Sequence, residues 1–109
     1  MAEAREVLQG TLDLLILSSL RVAPLHGWGI AQEIRARSNE VVLVTTGALY
    51  PALHRLAQQG LVSARWQVSD NNRRARYYTL TAAGRRALSD KEAWWQRFVV
   101  GVAGVLRHA

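Results

Sequence analysis

The stretch Thr45-Thr46-Gly47-Ala48-Leu49-Tyr50-Pro51-Ala52-Leu53-His54-Arg55-Leu56 decides how the rest of the chain is read. Leu49, Leu53 and Leu56 fall at i, i+4 and i+7, which on a helical period places them on one stripe facing a core. The opposite side carries Thr45, Thr46, Tyr50, His54 and Arg55, hydrogen-bond donors and a cation at spacings able to follow a DNA groove. The pattern is that of a recognition helix shown to a partner. Pro51 complicates its start, because with Thr45 or Thr46 as cap the proline falls past the first turn, where its ring and missing N–H kink a helix. Two starts stay open: an irregular first turn, or a regular helix beginning near Pro51.

Downstream, Gly60 is a natural residue to close that helix. The period then changes. Val62, Ala64, Trp66 and Val68 alternate with Ser63, Arg65 and Gln67, as a half-buried strand requires. Ser69-Asp70-Asn71-Asn72-Arg73 supplies turn chemistry, and the segment from Arg74 to Leu80 returns as a second strand, giving a β-hairpin with an arginine-rich tip. Thr81 is the expected N-cap of a last helix running almost to the C-terminus. On it Leu88, Trp95, Val99, Val102 and Leu106 form a heptad-like seam, widened by Phe98 and Val105. So broad an apolar face exceeds what a small monomer covers, so Leu88, Trp95, Phe98, Val99, Val102 and Leu106 are expected to line a dimer interface.

Upstream, residues 11–22 are apolar on nearly every side, with Thr11 placed to cap and Pro24 to stop. A buried strand is the alternative, but the length favours a central core helix. Ile30 and Ile34 mark a second helix whose start is loosened by Gly27 and Gly29. Trp28 at its mouth has two readings, a packing residue, which is the commoner role, or an indole N–H donor to a DNA phosphate. Ser38-Asn39-Glu40 is turn-like, and Val41 to Val44 is a short β-branched run suited to an edge strand.

The chain has 109 residues, half of them apolar, enough for one compact domain. Its net charge of +6 is concentrated: from Arg55 to Arg86 seven arginines face one acid, Asp70, whereas basic and acidic groups balance elsewhere. A solvated basic face is the plain explanation of such a run, and its place beside a recognition helix points to nucleic acid instead. Without cysteine there are no disulfides or thiolate sites, and no cofactor or metal is expected. The charged N-terminus lacks a signal-peptide pattern, and the Leu12 to Val22 run holds Asp13 and is too short to span a bilayer, so a cytoplasmic protein is expected. His26, His54 and His108 lie far apart with no paired carboxylate nearby in sequence, and no phosphate loop or nucleophile elbow is present, which argues against an enzyme. A protein-interaction module is the better rival, but it has no need of the arginine excess.

The order of helix, helix, strand, recognition helix, hairpin and terminal helix is a mainly α winged helix-turn-helix with an added dimerisation helix, divided here as residues 1–80 and 81–109. The sequence resembles the PadR family of bacterial transcriptional regulators in its compact form. The resemblance rests on Gln9-Gly10-Thr11-Leu12-Asp13-Leu14-Leu15-Ile16-Leu17, Leu25-His26-Gly27-Trp28-Gly29-Ile30, the run from Gly47 to Leu56, and that from Arg73 to Gly84. It implies a homodimer on a palindromic double-stranded operator, repressing transcription until a small hydrophobic effector or other signal weakens binding. The DNA-binding set would be Thr45, Thr46, Gly47, Tyr50, His54 and Arg55 from the helix and Asn72, Arg73, Arg74 and Arg76 from the wing, with Trp28 at the backbone. Tyr50 resembles the family's phosphate-contacting tyrosine. Trp95 matches a tryptophan common in the family's terminal helix, where in some relatives an aromatic lines a ligand pocket; packing against its twin is the other reading. Two departures stand out: Trp28 where the family more often has Tyr, and Asn71-Asn72 where a Gly often precedes the arginine pair, so the turn must rely on asparagine's tolerance of positive φ.

Overall fold

The computed structural model describes the backbone of residues 2–107 and the side chains of residues 9–107; Met1, His108 and Ala109 lie outside it. The elements run α1 (Ala2–Ser19), β1 (Leu25–His26), α2 (Gly27–Arg37), α3 (Thr46–Gln58), β2 (Val62–Val68), β3 (Arg74–Leu80) and α4 (Ala82–Leu106). This is a winged helix-turn-helix with a long terminal helix.

α1 begins well before Thr11, which lies inside the helix instead of capping it. Apart from Val7, the residues from Ala2 to Gln9 are strong helix formers, and Gly10 weakens a helix interior by only about 1 kcal/mol, too little to set a boundary. The helix stops at Ser19, before the expected end, and Ser19 Oγ donates back to the Ile16 carbonyl at 2.6 Å. Ile16, Leu17 and Leu20 are fully buried and meet Ile30 and Ile34 of α2 and Leu49, Leu53 and Leu56 of α3 in one core. The leucine stripe of α3 is therefore its inward face.

Pro51 sits within α3, which starts regularly at Thr46. Thr45 is the N-cap, its side chain accepting from the Ala48 N–H at 3.2 Å, and Leu49 N–H donates to the Thr45 carbonyl at 2.9 Å. The bond Pro51 cannot make would have ended on the carbonyl of exposed Gly47, where solvent replaces the lost donor. At the far end Gly60 takes φ +76° and the Leu61 N–H reaches back to the Leu56 carbonyl at 3.0 Å, closing the helix in a Schellman turn.

The run Val41 to Val44 is not a strand. Asn39 and Glu40 adopt φ values of 53° and 64°, turning the chain sharply after α2, and the segment continues without joining a ladder. Val42 and Val44 pack on the core while Val41 and Leu43 stay exposed, so the alternation is real but the ladder is absent. The edge strand is β1 instead, with Leu25 opposite Tyr78 and His26 opposite Tyr77, giving an antiparallel sheet of order β1-β3-β2.

The hairpin forms as its alternation predicts, in register Val62 to Leu80 through Val68 to Arg74. At its tip Asn72 N–H donates to the Ser69 carbonyl at 2.9 Å and Ser69 N–H to the Arg73 carbonyl at 2.7 Å, with Asn72 at φ 61°. That is a tight turn with a bulge, its left-handed position filled by asparagine where glycine is usual. α4, capped by Thr81, packs along α1, and the molecule measures 55 × 28 × 28 Å.

Leu88 is 4% exposed within its own chain's core, which removes it from the expected dimer seam. The chain's own core accounts for its place in the heptad pattern. Trp95 is half-buried against the same core. Beyond it Phe98 stacks on Trp94 at 5.0 Å, and Val99, Val102, Val105 and Leu106 lie open.

Candidate nucleic-acid interface

The β2–β3 register places Val62, Ala64, Trp66 and Val68 on one face of the hairpin, opposite Leu80, Tyr78, Arg76 and Arg74. Near the base this face belongs to the core, where Val62, Tyr78 and Leu80 are buried. Toward the tip it leaves the core, so Trp66 and Val68, expected to point inward, are exposed. Between this outer part and α3 lies a cleft of about 640 Å³, lined by His26, Trp28, Tyr50, His54, Trp66, Arg73, Arg74 and Arg76 among others. Tyr50, His54, the three wing arginines and Trp28, far apart in sequence, thus come together.

Their placement has local causes. His26 caps α2, its Nδ1 accepting from the Gly29 N–H at 2.9 Å, which requires an unprotonated Nδ1. Its ring leans on Tyr77 at 5.1 Å and on Trp28 at 6.3 Å. Trp28 is 68% exposed, so it is not a core packing residue. The Tyr50 ring lies directly over the Gly27 backbone, where an added Cβ would stand 2.7 Å from its hydroxyl. Gly27 therefore lets the mouth of α2 approach α3 and holds Tyr50 at the cleft. Thr45, Thr46 and Gly47 are exposed at the start of α3 but do not line the cleft, and the Thr45 hydroxyl is engaged in its cap.

Arg55 does not join them. Its guanidinium forms an ion pair with Asp13 of α1, whose residue is 7% exposed, and Gln9, in the amide orientation that satisfies both groups, accepts from Arg55 at 2.9 and 3.2 Å. The residue expected in a groove contact instead ties α1 to α3. Burial holds the Asp13 carboxyl above its ordinary value, against the opposing charge and hydrogen bond of Arg55 and the more distant charge of Lys91. In contrast, Arg73, Arg74 and Arg76 take part in no ion pair among the described residues.

Three contributors escaped the sequence reading. His26 is a rare N-cap type, and only its place just before the Gly27-Trp28-Gly29 helix start hints at the role. Asp13 and Arg55 are 42 positions apart, and no local pattern links them. Trp66 obeys the alternation, which cannot say where the strand outruns the core.

No helix among the described residues is long and apolar enough to cross a membrane. Residues 16–90 match the transcriptional regulator PadR-like family. Transcriptional regulator Rv3488 of Mycobacterium tuberculosis is 34% identical over 104 residues, covering 95% of this chain and 94% of that protein. A PadR family transcriptional regulator from Eggerthella lenta superposes with a TM-score of 0.76 at 30% identity, covering 99% of this chain and 92% of that one. A transcriptional regulator from Clostridium thermocellum does so with a TM-score of 0.81 at 25% identity, covering 91% and 96%. With the family match spanning more than half of its length and a 34% identical relative matched over 94% of its own length, this chain belongs to the PadR-like family of transcriptional regulators.

Proposed function

We propose that the protein is a sequence-specific repressor that binds a palindromic operator as a homodimer through the α3–wing cleft. One observation carries this reading: the cleft gathers an exposed tyrosine, two histidines and two tryptophans with three arginines that no carboxylate neutralises among the described residues. Arginines in that state supply the phosphate attraction, while Tyr50 and His54 on the exposed side of α3 reach toward base edges or phosphates. Thr46 and Gly47, with the capped start of α3, present a helix N-terminus to the backbone. Asn72 sets the turn that aims the arginines.

The open face of α4, from Phe98 to Leu106, pairs with a second copy. The Trp94, Trp95 and Phe98 rings at its inner end offer a flat hydrophobic effector a stacking surface beside the seam. Val102→Asp places an unpaired charge in that seam and is expected to give a monomer in sedimentation equilibrium, with operator affinity lowered at least about tenfold. A dimer that survives the change would move the interface elsewhere.

Selection of binding sites from random duplexes tests the function itself. A two-fold dimer enriches an inverted repeat with half-sites about one or two DNA turns apart. Failure to enrich any site sinks the reading.

A further inference from the structure

Trp66 is the part of the cleft that neither the core nor the turn requires. It is 56% exposed, while Val62 on the same strand face is buried. Arg76 stands directly opposite it on β3, and Arg74, paired with Val68, is the next residue on that face. Their guanidinium carbons lie 5.9 and 5.0 Å from the ring centroid, within the roughly 6 Å reach of cation–π attraction. A large aromatic ring in solvent with two cations against it is an arrangement, not a remnant of packing.

The arrangement differs from the Arg55 clamp in what it leaves free. A carboxylate partner consumes guanidinium N–H donors, as Asp13 does, whereas a ring face attracts the cation and leaves its in-plane donors available. An unsupported arginine also loses rotamer freedom when it docks on a phosphate, and a contact made beforehand lessens that loss. Both effects favour a ring where two arginines must be ordered yet stay able to bind anions.

We propose that Trp66 is a positioning residue of the wing, holding Arg74 and Arg76 side by side on the cleft face with their donors free for neighbouring DNA phosphates. The role rests on the DNA-binding reading above; the ring contact does not. Loss of the ring leaves both charges in place but unordered.

The test compares full-length wild type with Trp66→Leu and Trp66→Phe, using anisotropy of a labelled mixed-sequence duplex at fixed low salt and NMR of the arginine Nε–Hε groups without DNA. Trp66→Leu is expected to weaken duplex binding about fivefold and Trp66→Phe by less, since a phenyl ring keeps part of the attraction. In free wild type the Arg74 and Arg76 Nε–Hε signals are displaced by the indole ring current, and in Trp66→Leu they return to ordinary positions. Thermal midpoints near wild type show that the exposed site was changed without unfolding, and the phenylalanine variant carries the comparison if leucine lowers stability.

Three results overturn the proposal: no ring-current displacement in wild type, binding by Trp66→Leu within twofold of wild type, or equal losses in both variants, which would mean that the indole itself touches DNA. A wild type that fails to hold duplex at low salt overturns the DNA-binding reading and the positioning role with it, while the NMR signals still report the contact. The two failures are therefore distinguishable.

Discussion

Gly84→Ala is expected to destabilise the protein by about 3 kcal/mol or more, lowering the thermal midpoint by roughly 15 °C for a domain of this size. A Cβ built on Gly84 would stand 1.9 Å from the Leu61 carbonyl oxygen and 3.0 Å from its carbon, inside any tolerable contact with backbone. That oxygen is not free to move. It accepts from the Thr81 N–H at 3.2 Å, Thr81 Oγ1 donates to the Gly60 carbonyl at 2.6 Å, and the Gly84 N–H returns to Thr81 Oγ1 at 2.9 Å. The end of α3 and the start of α4 are thus knotted through one glycine. Room for a methyl group comes only by parting them, with loss of the Thr81 cap, itself worth about 1 kcal/mol. Calorimetry of the variant checks this, and an unchanged midpoint would mean that the two helix ends are not in register as described.

Arg55→Ala is expected to be comparably damaging, by about 3 kcal/mol near neutral pH, because it leaves Asp13 buried and unpaired. The loss depends on pH in a definite direction. Burial already holds the Asp13 carboxyl above its ordinary value of 3.8, and removing the opposing charge and hydrogen bond of Arg55 raises it further. A carboxyl whose folded-state pKa is raised supports the fold fully below the unfolded value and loses that support as pH rises through the folded one. The variant's deficit should therefore be small near pH 3 to 4 and grow toward neutrality. Adding Asp13→Asn removes the stranded charge and should recover part of the stability at pH 7. Denaturant titrations across pH read all three proteins. A variant of wild-type stability that instead loses DNA affinity would return Arg55 to the groove.

The contrast shows what the chain discloses locally and what it does not. The leucine stripe of α3, the hairpin with its asparagine turn and the long last helix are visible in the sequence because each is a period or a turn signal within a few residues. The strand expected at Val41 to Val44 failed because β-branched side chains mark a preference for a pleated surface without supplying a neighbour to pair with. A ladder partner must come from elsewhere, and β3 pairs with Leu25 and His26. Leu88 was misplaced for a related reason: heptad spacing names a face of α4, but the first turns of that face meet the chain's own core. Tyr50, His54 and the wing arginines, picked out by composition and spacing, do come together along one cleft. The diversion of Arg55 to Asp13 was invisible, since an exposed cation and a clamped one look alike in sequence.

The salt dependence of duplex binding for wild type and for the combined Arg73→Ala, Arg74→Ala, Arg76→Ala variant reads the wing's phosphate contacts. With the wing arginines on phosphates, wild-type log K falls steeply with log salt. The variant's slope is then shallower by about one unit per arginine in each half-site, for every sequence alike. Equal slopes for the two proteins would remove the wing from the interface.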